Sequence, residues 1–496
     1  MKEIKLFING EFVNSSSNKT YLTQNSGTGE DIAKVHLPSS KDIDNAVEAA
    51  DKAFYSEAWR GCDQNKRSEL LLAISEKILE RKKDFIDWEI KDSGSTVRKA
   101  KADIHNTASY FKVMSKVTKS FQFERKDENA SRPGFSENFR LYSPVGVCAQ
   151  IIPWNFPLVM AGWKIGPVLA SGCTTVLKSA QETPITANLL AEVIKDVGIP
   201  AGVVNIITGG AAEGEQLISH AKVKKIAFTG STEVGRKIMS KAAGTLKKLS
   251  LELGGKSANI VLNDADLDIA VDGALYAFLY HSGQACDSGT RLLVQEKIYD
   301  SFIAKFVKRI SEIKVSTLED ANAGMGPVIN KNQFDRIMGY IEKTKKEGAK
   351  VLYGATQIKD GNFSKGNYIQ PTAFEITPDN TIWHEEIFGP VVGITKFKTE
   401  DEAIRLANNS IYGLAAAIWS TDEAKAKRLA FQLEAGTIWI NEYHLLNPGM
   451  PFGGFKQSGI GREMGEEGML AYLEVKHLWR SDCNKREQKQ WFDAIF

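Results

Sequence analysis

Two hydrophobic periods alternate along most of this chain. Near the start, Ile43, Ala46, Val47, Ala50 and Phe54 recur at helical spacing behind the capping candidates Ser39 and Ser40. A longer helical pattern is expected from about Lys66 to Ile90. From Val145 the period shortens. The β-branched runs VGVCAQII, TTVLK, VVNII and KKIAFTG alternate with helical stretches at Pro184–Val197 and Thr232–Ala243. That alternation predicts βαβ units and a parallel sheet, which binds ligands beyond the carboxyl ends of its strands. After Gly254 the alternation restarts, with helices expected over Leu267–Tyr280 and Lys297–Ile313 and strands at NYIQPTAFE, VVGITKF, LAAAIWS and GTIWIN. One stretch breaks the rhythm. Lys119–Tyr142 sets Phe121, Phe123, Phe135, Phe139 and Tyr142 around a polar segment with Pro133 and Gly134, an expected hairpin that cannot bury its aromatics alone. The last segment, SDCNKREQKQWFDAIF, ends on apolar residues expected to pack on another surface.

At 496 residues the chain exceeds one ordinary core, so two or three units are expected. Its 63 basic and 61 acidic residues leave a net charge of +2, which gives no electrostatic case for nucleic acid or an anionic membrane. The N-terminal MKEIKLFINGEF lacks a signal-peptide core, and no uncharged apolar run reaches the roughly 20 residues that cross a bilayer. Five scattered cysteines without CxxC spacing read as reduced thiols of a cytoplasmic protein, with no disulfide framework and no metal site.

Chemistry concentrates after the strands. Asn155, Lys178 and Gly230 each follow a β-branched run, on the side where a ligand would lie. Cys286, in GQACDSGTR, sits between Gly283 and Gly289, where backbone amides could approach a thiolate. Its neighbour Asp287 opposes ionisation, so activation is expected from the backbone or from a bound cation. Cys62, Cys148, Cys173 and Cys483 carry no such surroundings and read as packing or surface residues. Glu252, in LELGGKS, alone would pass for a strand-end carboxylate; with a nucleophilic cysteine it becomes a candidate base for hydrolysing a thioacyl enzyme. Asn155, in PWNFP, is either a turn asparagine or a donor to a developing oxyanion. Gly230 and Gly235 in FTGSTEVG open a helix after a strand, but do not form the GxGxxG fingerprint.

Together the frames IIPWNFP, LELGGKS, GQACDSGTR, EEIFGPV and PFGGFKQSGIGRE, running from NGEF to YLEV in order, resemble the aldehyde dehydrogenase superfamily of the non-acylating, hydrolytic type. The resemblance implies an α/β fold: a modified Rossmann cofactor domain (1–118 and 144–253), an α/β catalytic domain (254–457), a small β oligomerisation element (119–143 and 471–496) and a return segment (458–470). It implies NAD(P)-dependent oxidation of an aldehyde to the free acid through a cysteine thioester, by a homodimer or homotetramer. Cys286 would be the nucleophile, Glu252 the base and Asn155 an oxyanion donor, with Lys164 and Glu463 relaying protons. A surface salt bridge is the plainer reading of that last pair. Ile151, Pro153, Trp154, Lys178, Gln181, Gly230, Ser231, Gly235, Leu253, Gly254, Glu386 and Phe388 would hold the dinucleotide. Phe156, Trp163, Tyr280, Tyr443, Leu446 and Phe452 would line the substrate tunnel.

One position departs from the family. After Lys178 the family carries a glutamate that accepts from the adenosine 2′-hydroxyl; here that place holds Gln181. Loss of the charge implies weaker discrimination against NADP, with NAD still preferred. Aromatic walls suit aliphatic or aromatic aldehydes, and a quaternary ammonium as in betaine aldehyde ranks second. A coenzyme A-acylating relative is disfavoured by Glu252. A non-catalytic descendant would be expected to have lost at least one of Cys286, Glu252 and Asn155.

Overall fold

The computed structural model describes residues 1–495; Phe496, the last residue of the expected oligomerisation element, lies outside them. Two large sheets organise the chain. The first has eight strands in the spatial order Gly459–Ile460, Lys248–Glu252, Val223–Thr229, Val147–Ile151, Thr174–Ser179, Val204–Thr208, Leu6–Ile8 and Glu11–Val13. Its five central strands are mutually parallel. The chain enters at Val147–Ile151, builds outward to Val204–Thr208, then returns to lay Val223–Thr229 on the other side. Strand order therefore reverses between Ile151 and Thr229, and a crevice opens beyond their carboxyl ends.

The second sheet has seven strands, ordered Lys350–Tyr353, Thr372–Glu375, Val391–Phe397, Arg291–Gln295, Ala258–Val261, Ala415–Trp419 and Thr437–Ile440. All pair in parallel except the first. The short strand Gly459–Ile460 runs antiparallel to Lys248–Glu252 and so carries the chain back from the second sheet to the first. A third, antiparallel sheet joins Leu473–Ser481, Ser136–Pro144 and Glu124–Lys126. It brings together the two segments that the sequence leaves with unburied aromatics. Phe121 packs edge-on against Phe123 and Tyr142, and Phe135 against Trp479 and Trp491.

Several elements differ from the sequence expectation, among them the helix expected over Lys297–Ile313, which spans Tyr299–Ile310, and the strand expected at NYIQPTAFE, which is confined to Thr372–Glu375. The helix expected over Lys66–Ile90 is two, Gln64–Glu80 and Lys82–Ser93, parted at Arg81, whose φ/ψ of −93°/15° leaves the helical region. Lys119 and Ser120 belong not to the hairpin but to the last turn of a long helix, Val97–Ser120. The helix expected over Leu267–Tyr280 stops at Leu279. Val97–Ser120 packs closely on a fully buried helix, Pro157–Ser171. Glycine permits the approach: a Cβ on Gly166 would come within 2.7 Å of the Tyr110 ring, and one on Gly162 within 3.0 Å of Thr107. Pro157 starts the buried helix and Gly172, at φ 86°, ends it. This helix pair forms one wall of the site.

Among the described residues, no helix is long and apolar enough to cross a membrane, and no group of three or more His, Cys, Asp or Glu is placed to hold a metal ion.

Candidate active site

Glu252 ends its strand beside the reversal of strand order, where Gly230 N–H donates to the Glu252 carbonyl at 3.0 Å. Neither oxygen of its buried carboxylate has a hydrogen-bond partner. Glycine makes room for it, since a Cβ on Gly453 (φ 153°) would approach Glu252 Oε1 to 2.6 Å. An unpaired carboxylate out of water favours its neutral form. Burial, and then the Glu463 carboxylate, hold the Glu252 pKa well above the usual range, while Lys164 and Arg462 oppose them.

Cys286 comes from the second sheet. The helix Leu267–Leu279 runs into a tight turn, Tyr280–Gly283, in which His281, Ser282 and Gly283 all have positive φ. That turn throws the following loop toward the first sheet. Gly255, just after Glu252, has its missing Cβ directed at the Cys286 carbonyl. Asn155 approaches from the loop after Val147–Ile151, and its Nδ2 donates to the Gln284 carbonyl at 2.8 Å, two residues before Cys286. Cys286, Glu252 and the Asn155 amide are thus brought to one region, where the two sheets face each other.

The expectation that backbone amides lower the Cys286 pKa is not met. Burial raises it well above the ordinary thiol value, and the charges of Asp287, Glu386 and Glu252 add to the rise; its own backbone N–H is the weakest influence.

A cavity of about 270 Å³ opens at this point, and both Cys286 and Glu252 line it. Phe156, Trp163, Tyr280, Leu446 and Phe452 also line it, as the sequence expects. Tyr443 does not. It is fully buried behind Gly289, donates its hydroxyl to the Asp287 carbonyl at 2.8 Å and sets its ring 4.7 Å from that of Trp439 at a tilt of 34°. Asn441 and His444 both have positive φ, and it is His444 that reaches the cavity, paired with Asp287 at 3.2 Å. The sequence reading also misses Asp103 and Tyr110, both on the wall helix Val97–Ser120. The apolar spacing of Ile104, Ala108 and Phe111 is the signal that would have found that helix.

Lys164 and Glu463 form a buried ion pair, not a surface one, and Lys164 also donates to Thr229 Oγ1 at 2.7 Å. Glu463 lines the cavity and its second oxygen is unpartnered.

The expected cofactor residues follow the crevice. Lys178, next to last in the strand Thr174–Ser179, has Nζ donating to the carbonyls of Gly209 (2.5 Å) and Ser179 (3.2 Å), and burial lowers its pKa to about 8. The Gln181 carbonyl accepts from the Tyr21 hydroxyl at 2.8 Å, and its side-chain amide lies against Gly210. Gly210 N–H donates to Glu213 at 2.7 Å, so a carboxylate stands close to the neutral Gln181. Ser231 caps the helix Thr232–Ala243, and Gly235 in its first turn admits Leu253 beneath it. Glu386 lies against Gly254 and accepts from Gly255 N–H at 3.2 Å; burial raises its pKa to about 7. Phe388, at φ 62°, meets Trp154 edge-on at 5.4 Å. Ile151 and Pro153 complete the strand end and the turn toward Asn155.

Residues 12–478 match the model of the aldehyde dehydrogenase family, and the chain belongs to that family. It is 43% identical to an aldehyde dehydrogenase of Aspergillus niger, covering 95% of this chain and 94% of the relative. It is 40% identical to a betaine aldehyde dehydrogenase of Bacillus subtilis, covering 99% of both. The NAD+ complex of an aldehyde dehydrogenase from Bacillus cereus superposes with a TM-score of 0.93 at 41% identity, covering 97% of each chain. The molecule is therefore an enzyme, an oxidoreductase of the aldehyde dehydrogenase class.

Proposed function

We propose that the enzyme oxidises an aliphatic or aromatic aldehyde to the free acid with NAD, through a thioester on Cys286. The observation that carries this reading is the sharing of one cavity wall by Cys286 and Glu252, with the Asn155 amide tied to the same loop. The residues present fit a dinucleotide. The helix start at Ser231 offers N–H groups beyond the strand ends, Lys178 offers an ammonium two strands along the sheet, and Glu386 offers carboxylate acceptors beside Gly254. The B. cereus relative was solved as an NAD+ complex. Gln181 leaves NADP as the second cofactor, with Glu213 nearby favouring NAD.

When bound, the dinucleotide would supply a hydride acceptor and a positive ring. The chain's own residues do the rest. Cys286 Sγ adds to the aldehyde carbon, and the oxyanion is held by Asn155 Nδ2 and the Cys286 N–H. One such donor is worth about 2.7–4 kcal/mol of transition-state stabilisation. After loss of hydride the acyl group remains on Sγ. Glu252, as carboxylate, takes a proton from a water that attacks the thioester, freeing the acid and leaving Cys286 as the thiolate. The proton passes toward Glu463 and Lys164.

The cavity wall also carries Asp103, Asp287 and the rings of Tyr276 and Tyr280. These favour a cationic aldehyde of the betaine type as the second reading. An aldehyde panel followed by NADH absorbance, without added coenzyme A, tests substrate and product together. In stopped flow, Glu252→Gln is expected to keep a stoichiometric NADH burst while steady turnover falls about 10²-fold or more, and Cys286→Ala to show no burst. Normal activity in Cys286→Ala would refute the mechanism. We read residues 1–118 and 144–253 as the cofactor unit, 254–457 as the catalytic unit, and 119–143 with 471–496 as the contact to further copies. We place the enzyme in the cytoplasm, where its five free cysteines stay reduced; recovery in another cell fraction would contradict that.

A further inference from the structure

Lys99, Lys225, Lys256 and Arg291 are buried cations that the mechanism leaves without a role, and Lys99 is the one that touches the Asn155 loop. Lys99, on the helix Val97–Ser120, is 2% exposed. Its Nζ pairs with Asp103 one turn on, lies 3.0 Å from Ser95 Oγ and 3.8 Å from Glu89 Oε1, and stands 4.2 Å from the centre of the Phe156 ring. Glu89 and Asp103 are themselves buried. Taking three charged groups out of water carries a large desolvation cost, which apolar packing between the helices would avoid.

The ring beneath the ammonium is what makes the arrangement informative. Phe156 directly follows Asn155 and stands at the N-terminus of Pro157–Ser171, with φ/ψ of −136°/62°. The other side of the same contact is the turn that delivers Cys286. The Phe156 ring lies 5.4 Å from His281 and 6.0 Å from Tyr280. Gln284, whose carbonyl receives the Asn155 amide, is anchored back to this turn by its own N–H and Nε2, both donating to the His281 carbonyl. Phe156 is thus a wedge between the loops that carry the oxyanion donor and the nucleophile. A cation over an aromatic face holds that ring in place more firmly than apolar packing alone.

We propose that Lys99 is a positioning residue for the oxyanion site: its ammonium, anchored by Asp103, Glu89 and Ser95, clamps Phe156 and so fixes the Asn155 amide relative to Cys286. The inference rests on the oxyanion reading of Asn155 given above. A purely structural salt bridge between helices predicts a different outcome. It would lower thermal stability and leave the chemistry of each folded molecule unchanged.

The test compares Lys99→Met, Lys99→Arg and Asn155→Ala in the full-length enzyme at saturating aldehyde and NAD. The readouts are the first-turnover rate of NADH formation per Cys286 titrated with iodoacetamide, the KM for NAD, and the melting temperature. Lys99→Met is expected to slow the first turnover about 10-fold or more with KM for NAD unchanged, and Lys99→Arg to recover it to within about threefold. If Lys99→Met fails to fold, the triple variant K99M/E89Q/D103N, which leaves no unpaired buried charge, carries the same expectation. A first-turnover rate within about twofold of wild type at equal active-site titre would overturn the inference. If Asn155→Ala still slows that step, only the role of Lys99 falls. If Asn155→Ala leaves it unchanged too, the oxyanion reading falls with it.

Discussion

Burial pushes Glu252 and Cys286 alike toward their neutral forms, and the charges nearest each decide how far. Glu252 works as a base only when ionised, so turnover limited by thioester hydrolysis should rise with pH through a limb above the ordinary carboxylate range. The Glu463 carboxylate raises that pKa, and Lys164 lowers it. In Glu463→Gln the repulsion goes and Lys164 is left uncompensated. Both changes favour ionised Glu252, so the limb should move to lower pH. A hydrolysis pH profile with an unmoved or higher limb would contradict this. Residue types chosen by chemistry were legible in the sequence, and in the fold Cys286 and Glu252 line one cavity while the Asn155 amide bonds the loop that carries Cys286. The environment that sets their protonation was not legible, because burial belongs to the fold. Nor was the exchange of Tyr443 for His444 at the cavity, which depends on two left-handed residues that carry no sequence signal. At the crevice, Gln181→Glu should lower kcat/KM for NADP relative to NAD by restoring a carboxylate near the 2′ position. An unchanged ratio of the two constants would remove Gln181 from cofactor choice.

Among the elements, the regular strands were the most legible. Val391–Phe397 fills the run VVGITKF, and Thr232–Ala243 keeps its expected bounds. These segments have sharp stops and a single hydrophobic period. The helix Val97–Ser120 was missed because eleven of its 24 residues are Lys, Arg, Ser or Thr and its apolar stripe is narrow. The break at Arg81 escaped notice because no glycine or proline marks it. The hairpin aromatics found partners within the chain, yet the strand Leu473–Ser481 still lies at a sheet edge and exposes Val475, Leu478 and Trp479. An unpaired apolar edge is a pairing surface. A second copy of the chain should cover it. Light scattering is expected to give a multiple of the 54.7 kDa chain mass, and Val475→Asp with Trp479→Asp to lower it toward that value. A wild-type mass equal to one chain would refute the contact.

In the whole molecule, the site exists because two sheets present their strand ends to each other. The first supplies Glu252, Asn155 and the cofactor crevice; the second supplies Cys286 and Glu386. Short glycine-rich connections, at Gly254–Gly255 and Gly453–Gly454, let the two halves close without side chains between them. Periodicity could announce two α/β units, but only the motifs could say that they share a centre. The most direct measurement of that shared centre is intact-mass and peptide mapping of Glu252→Gln, quenched in acid after exposure to NAD and aldehyde. A mass gain of one acyl group is expected, located on the peptide that holds Cys286. Full NADH formation with no adduct, or with the adduct on another cysteine, would contradict it.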